Sequence, residues 1–205
     1  MSFYRNQVLP RFQDKAMDRK DLREIRDRVC SGLTGDVVEI GFGTGLNSPH
    51  YPAEVVKVAA VEPSALCVRI AQPRIAATTA EVKLAGLTGE ALDLPSEEFD
   101  AALSTWTLCT IPKVDAALAE IRRVLKPGGK FHFVEHGHAP DARVARWQKR
   151  FEPPWKRVAG GCHVTRPIPE LIEGAGFHME ALETYYMKGE PKIFGYTFEG
   201  IASKA

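Results

Sequence analysis

Hydrophobic positions along the chain fall into short apolar runs separated by stretches with a helical repeat. Val37, Val38 and Ile40 form one run, interrupted by Glu39 and closed by Gly41. Val58-Ala59-Ala60-Val61 forms a second that ends directly in Glu62, and residues 82–86, 101–104 and 130–134 form three more. Runs this short, rich in branched residues and bounded by glycine, proline or acids, read as buried strands. Between them, residues 114–125 place Ala117, Leu118, Ile121 and Val124 on one helical face. Strands alternating with helices predict an α/β domain built on a largely parallel sheet.

The ends of the chain follow different patterns. Residues 3–30 predict helix in two pieces broken near Pro10, with Phe3, Tyr4, Val8, Leu9 and Phe12 on one face and Leu22, Ile25 and Val29 on another. Such a segment fits equally a helix packed on a sheet edge or a lid over a pocket. After a short helix at 169–177, segments 178–187 and 192–204 read as strands. Phe194, Tyr196 and Phe198 alternate, and with only a turn between them the two segments should pair antiparallel.

The most informative chemistry lies at the first strand. Gly41, Gly43 and Gly45 put three residues without a Cβ into the loop after it, which permits positive φ and a close approach to a ligand. Strand, glycine turn, short irregular helix limited by Pro49 and Pro52, strand and acidic tip is the layout of a nucleoside-binding βαβ unit, with Glu62 taking ribose hydroxyls. Pro63 then falls in the first turn of the next helix. A dinucleotide site is disfavoured, because Leu46 stands where that helix needs Gly or Ala.

The spacing E-x-G-x-G-x-G (Glu39, Gly41, Gly43, Gly45) resembles motif I of the class I S-adenosylmethionine (SAM)-dependent methyltransferases. The resemblance implies a Rossmann-like, doubly wound, seven-stranded mixed sheet with a C-terminal antiparallel hairpin, a single domain over residues 1–205 and SAM as cofactor, with S-adenosylhomocysteine as product. A helix N-terminus favours the SAM carboxylate, and Glu39 would hold its ammonium. The segment Gly89-Glu90-Ala91-Leu92-Asp93-Leu94-Pro95, followed by Phe99-Asp100, resembles the adenine segment of small-molecule methyltransferases. That likeness gives Glu90 the adenine amino group and the Ala91 amide a ring nitrogen. Thr105 and Trp106 would flank the SAM.

Further on, T-x-T-L-C at 105–109, V-L-K-P-G-G-x-x-x-F-x-E-H at 124–136, W-x-x-x-F-E-P-x-W-K at 147–156 and G-C-H-x-T-R at 161–166 resemble the microsomal thiol S-methyltransferases and their soluble bacterial relatives. This implies a small-molecule acceptor, with a thiol favoured. Residues 1–33 would form a helical cap and residues 139–168 an acceptor-side insertion. Cys109, Trp147, Trp155, Cys162 and Arg166 would line the acceptor pocket, with His136 or His163 as the base. A Cys162–His163 nucleophile pair is disfavoured, since adjacent strand residues point opposite ways. A quinone-precursor or phospholipid-amine methyltransferase is the enzymatic rival. A SAM-binding module without turnover is the rival from another class.

Composition narrows this further. With 205 residues, 44% hydrophobic and 26% charged, the chain fits one globular domain. A net charge of +1 gives no reason to expect a nucleic-acid partner. The start lacks the apolar core of a signal peptide or anchor, so a cytoplasmic protein with no stable membrane insertion is expected. Cys30, Cys67, Cys109 and Cys162 are widely separated with no C-x-x-C pair, so neither a metal site nor a disulfide framework is expected. The sequence sets no oligomeric state.

Overall fold

The computed structural model describes residues 3–86 and 88–205, so residues 1 and 2 of the expected N-terminal cap lie outside it. A π-helical turn at Tyr4–Val8 leads into α1 (Leu9–Met17) and then α2 (Lys20–Cys30). The expected break at Pro10 does not occur. Pro10 lies one residue into α1, which runs on directly from the π-helical turn, and the break falls at Asp18-Arg19 instead.

Strands β1 (Gly35–Ile40), β2 (Val55–Val61), β3 (Glu81–Gly86), β4 (Phe99–Thr105) and β5 (Leu125–His136) pair in parallel. The last two, β6 (Phe177–Tyr186) and β7 (Tyr196–Lys204), are antiparallel to each other, and β7 is antiparallel to β5. The resulting seven-stranded sheet has the order β3-β2-β1-β4-β5-β7-β6. The expected mixed sheet and terminal hairpin are therefore present, with a short helix, α7 (Lys192–Gly195), between the hairpin strands.

The order reverses between β1 and β4, and a crevice opens beyond the carboxyl ends of strands at such a switch point. Alternation along β1 sorts its side chains onto two faces. Val38 and Ile40 join the core with Leu118 and Ile121 of α4 (Val114–Val124) and with Ile168 and Ile172 of α6 (Ile168–Gly174). Val37 joins the opposite core with Leu22, Ile25 and Val29 of α2. Helix α2 thus covers a face of the central strands rather than the sheet edge, and that places its residues above the crevice.

Helix α3 (Ala65–Ala77) follows β2. Pro63 precedes it instead of joining its first turn, because Ser64 is the N-cap and its hydroxyl accepts from the Cys67 amide. Helix α5 (Ala142–Val158) carries the insertion after β5. Among the described residues, no helix is long and apolar enough to cross a membrane.

Candidate functional site

The three loop glycines have different tasks. Gly41 (φ +76°) and Gly45 (φ +74°) are required by packing as well as by conformation. A Cβ at Gly41 would collide with the Thr107 side chain at 2.2 Å, and one at Gly45 would press on Ala71 at 3.1 Å. Gly43 (φ +58°) differs, since a Cβ there would meet only the Gly41 carbonyl, at 3.7 Å. Its face is an open cradle.

Glu62 closes this loop from below. Its carboxylate accepts from the Gly43 amide at 2.9 Å and the Ser64 amide at 2.7 Å. Burial pushes its carboxyl above the ordinary value, against the pull of those two amides. The strand tip and the glycine turn are thereby locked to each other.

Glu39, the neighbour of Ile40 in β1, is buried. It accepts from Asn47 Nδ2 at 2.9 Å and from the Tyr51 hydroxyl. Burial raises its carboxyl to about 7, with the Tyr51 and Asn47 hydrogen bonds opposing. Asn47 Nδ2 also donates to Thr105 Oγ1 at 3.0 Å, tying the loop after β1 to the end of β4.

The expected helix after the glycine loop is a single 3-10 turn, Ser48–His50, too short to provide a helix dipole for an anion. A cation from another element occupies this neighbourhood. Arg26 of α2 is buried and lies over the Trp106 ring at 4.7 Å. Among the described residues its hydrogen bonds go to the Met17 and Leu22 carbonyls, and its Nε has no partner. Burial drags the guanidinium down from 12.5 to about 10. Asn47 Oδ1 and Ser48 Oγ are likewise buried without partners. Three orphaned polar atoms around one crevice, beside an open glycine cradle, fit a polar ligand with an amino-acid portion.

Trp106 itself has φ +49°, a left-handed conformation unfavourable for a bulky residue. Its amide is held by the Val134 carbonyl at 2.8 Å, and the turn brings the chain back under β5. Farther along the rim, the Glu90 carboxylate accepts from the Lys113 amide at 2.7 Å. Glu90 and Ala91 line a shallow cleft with Leu92, Asp93 and Glu120.

Beyond β4 and β5 the fold assembles a second group of residues. Glu135 is fully buried and accepts from the amides of Thr107 (2.8 Å), Leu108 (2.9 Å) and Cys109 (3.4 Å), and from the Ser104 hydroxyl (2.9 Å). Arg166 grips the same loop from the other side, donating to the Leu108 carbonyl and, at 2.6 Å, to that of Ile111. The loop so clamped presents Cys109. Its carbonyl accepts from the His163 amide at 2.8 Å, which aligns the segment bearing Cys162.

His136 Nε2 lies 2.8 Å from Cys162 Sγ. The Cys109 thiol directed at it and the neighbouring imidazole hold the Cys162 thiol low, against burial. Burial alone would lower His136, but the Cys162 charge and hydrogen bond, with Glu135, outweigh it and keep the imidazole above its ordinary value. Trp155 stacks on Phe194 at 4.1 Å, and both pack on the buried trio Cys109, Cys162 and Val164.

One expected base, His163, and two expected pocket residues, Trp147 and Arg166, have other surroundings. The His163 ring faces Glu152 at 3.3 Å, so Cys162 takes its imidazole partner from β5 and not from its neighbour in sequence. Trp147 packs on Phe151 at 5.6 Å on the exposed side of α5. The helical repeat relates Trp147 to Trp155, yet only Trp155 turns inward. Arg166 does not offer its guanidinium to an open pocket but holds the Cys109 loop in place. The sequence pattern carries no sign of Arg26, Asn47 or Tyr51. Glu135, next to His136 at the end of the fifth strand, is expected at the carboxyl rim, but its hold on the loop amides of residues 107–109 is visible only in the fold.

Comparison with known proteins places these features in context. A methyltransferase-domain family matches residues 38–133. The chain is 31% identical over 169 residues to thiol S-methyltransferase TMT1B of Rattus norvegicus, covering 80% of this chain and 69% of that protein. It is 31% identical over 179 residues to the Homo sapiens protein of the same name, covering 83% and 72%. Among solved structures, a SAM-dependent methyltransferase of Thermotoga maritima, described as a possible histamine N-methyltransferase, superposes with a TM-score of 0.68 at 22% identity. That match covers 98% of this chain and all of the other, a likeness of fold alone.

Proposed function

Since this chain belongs to the SAM-dependent methyltransferases, we propose that it binds SAM in the crevice above β1 and β4 and methylates a small thiol at the adjoining rim. The cofactor half rests on the crevice chemistry. Glu39 and Asn47 Oδ1 would receive the ammonium, and the Arg26 guanidinium the carboxylate. Glu62 would take the ribose hydroxyls, and Glu90 with the Ala91 amide the adenine edge. The empty face of Gly43 lets the ligand approach the backbone. When bound, SAM supplies a methyl group on a sulfonium already activated for transfer.

The protein's remaining tasks are to orient the acceptor, exclude water and manage its proton. A thiol has an ordinary pKa near 8.5 and needs only modest help at neutral pH, whereas an alcohol needs far more. The observation that carries the thiol reading is the meeting of Cys109, His136 and Cys162 at the ends of β4 and β5. It is joined to the crevice through Trp106, whose carbonyl is 3.6 Å from Cys109 Sγ. A partly apolar wall of Trp155 and Phe194 beside sulfur and imidazole suits a soft, small acceptor. Similarity to the rat and human thiol S-methyltransferases over about four-fifths of the chain supports the same reading.

The test is S-adenosylhomocysteine release by the purified protein with small thiols, phenols and amines in parallel. Release with thiols alone supports the reading. Release with phenols or amines alone would replace the acceptor and leave the cofactor assignment standing.

A further inference from the structure

Four cysteines with no close pair argued against a metal site, but the fold brings two of them together with a histidine. Cys109 Sγ, His136 Nε2 and Cys162 Sγ all lie within 4.8 Å of one another. We propose that these three residues bind a zinc ion whose fourth position receives the sulfur of the acceptor. The metal site stands on its own geometry; its task toward the acceptor rests on the thiol reading above.

The donor set has the composition of an open zinc site. Zinc takes thiolate at about 2.3 Å and imidazole at about 2.0–2.1 Å in a tetrahedron, and sites with three protein ligands keep one position for water or substrate. Those lengths put two sulfurs roughly 3.8 Å apart and sulfur and nitrogen roughly 3.6 Å apart. The His136–Cys162 pair, now at 2.8 Å, has to open by about 0.8 Å to admit the ion. The other two gaps, neither wider than 4.8 Å, have to close by about 1.2 Å at most. Soft thiolates with imidazole select zinc over magnesium or calcium, which want oxygen.

The three ligands come from three separate segments, and each is fixed by bonds unrelated to the cluster. Glu135 holds the amides of residues 107–109, and Arg166 the carbonyls of Leu108 and Ile111. His136 ends a strand paired on both sides, to β4 and to β7. Cys162 is tied to the first loop through the bond from the His163 amide to the Cys109 carbonyl. This is the outer support that orients metal ligands in built sites. The Trp155 indole N–H is buried without a partner beside Cys162, available to a coordinated sulfur.

Two thiolates and a neutral imidazole balance the charge of a divalent zinc ion. When the acceptor R–SH coordinates, a zinc–sulfur bond forms, the S–H bond breaks and the proton passes to solvent. The sulfur is held as a thiolate with its remaining lone pairs free to attack. Once methylated it is a neutral thioether, a poor zinc ligand, and it leaves. His136 then acts by binding the metal and not by accepting a proton.

The test is metal analysis of the tag-free, full-length protein kept reduced by a non-chelating phosphine. About one zinc per chain is expected, falling at least tenfold in Cys162→Ser and in Cys109→Ser. As a check that does not depend on those variants folding, protein stripped by a chelator is titrated with cobalt(II). A tetrahedral visible spectrum with thiolate-to-cobalt charge transfer, saturating at one equivalent, is expected for the wild type. Less than a tenth of an equivalent of zinc, together with no charge-transfer band, would overturn the metal site.

Activity of the same samples separates the two readings. Thiol methylation lost on stripping and restored by zinc supports the full proposal. Undiminished methylation by zinc-free protein overturns it while leaving the thiol reading intact. Zinc bound with no turnover on any thiol would retain the metal site and remove its assigned task.

Discussion

Arg26 gives the sharpest quantitative prediction, because its two expected effects have opposite signs. It is 3% exposed, and its guanidinium is pushed from 12.5 to about 10 by burial. That difference of about 2.5 corresponds to roughly 3 kcal/mol of unfavourable burial in the ligand-free protein, at about 1.36 kcal/mol per unit. Arg26→Met keeps the length and apolar stem and removes the charge. It forfeits the contact with the Trp106 ring, worth about 0.5–2 kcal/mol, and two long hydrogen bonds to the Met17 and Leu22 carbonyls. The terms nearly cancel. The urea unfolding free energy of the free variant should therefore lie within about 1 kcal/mol of wild type, or above it, as replacement of buried charge by apolar groups often allows.

SAM affinity should fall by about 1.5–3 kcal/mol, the worth of a charge-assisted hydrogen bond, or roughly 10- to 150-fold in Kd. Calorimetry with SAM and with an analogue lacking the carboxylate isolates the contact. Wild type should prefer SAM strongly, and the variant should nearly lose that preference. A variant destabilised by more than 3 kcal/mol that binds SAM normally would refute the argument and make Arg26 a structural residue.

Other consequences follow from neighbouring groups. Gly43→Ala should fold with a loss of about 1–2 kcal/mol from its left-handed backbone, yet bind SAM roughly 5- to 150-fold more weakly by calorimetry; Gly41→Ala should instead be lost mainly to instability, since its Cβ meets Thr107 at 2.2 Å. Glu39 titrates near 7 in the folded protein, so it must lose a proton to receive an ammonium. SAM affinity should rise with pH from about 5.5 to 7, below the range near 7.7–8.0 in which an α-amine loses its charge, and the rise should vanish in Glu39→Gln. The same raised carboxyl makes the free protein lose stability as pH climbs from the unfolded value near 4.5 through 7, because the folded state holds the proton longer; Glu39→Gln should flatten that slope in urea titrations. Glu135→Gln leaves at least one of three loop amides without its acceptor and should cost about 2–3 kcal/mol, read as a lower urea midpoint at unchanged slope.

Local features were legible where the physics is local. Three glycines in five positions marked the turn, branched runs marked the strands, and Glu62 at a strand tip marked the crevice floor. The terminal hairpin followed from alternation at Tyr196 and Phe198, but the strand expected from residue 192 begins only at Tyr196, and Phe194 lies in α7. Features set by tertiary contact were hidden. Arg26 looked like one more charge on an amphipathic helix until α2 settled over the sheet face. The sequence itself disfavours a Cys162–His163 pair, but nothing local shows that the fold delivers His136 to Cys162 from 26 residues away. Trp147 and Trp155 share a helical repeat, and only the position of α7 decides which of them is covered, through the Trp155–Phe194 stack. The short turn after Gly45 also removed the helix dipole that the glycine motif suggested, and a buried guanidinium stands in its place.

The measurement that bears most directly on the central claim is a single experiment on purified protein. SAM is supplied with a small aliphatic thiol, and S-adenosylhomocysteine and the methyl thioether are quantified together by mass spectrometry. The account predicts the two products in equal amounts, dependent on the thiol and lost in Gly43→Val, which fills the cofactor cradle. Bound SAM with no thioether from any thiol, or thioether formed equally well by Gly43→Val, would contradict it.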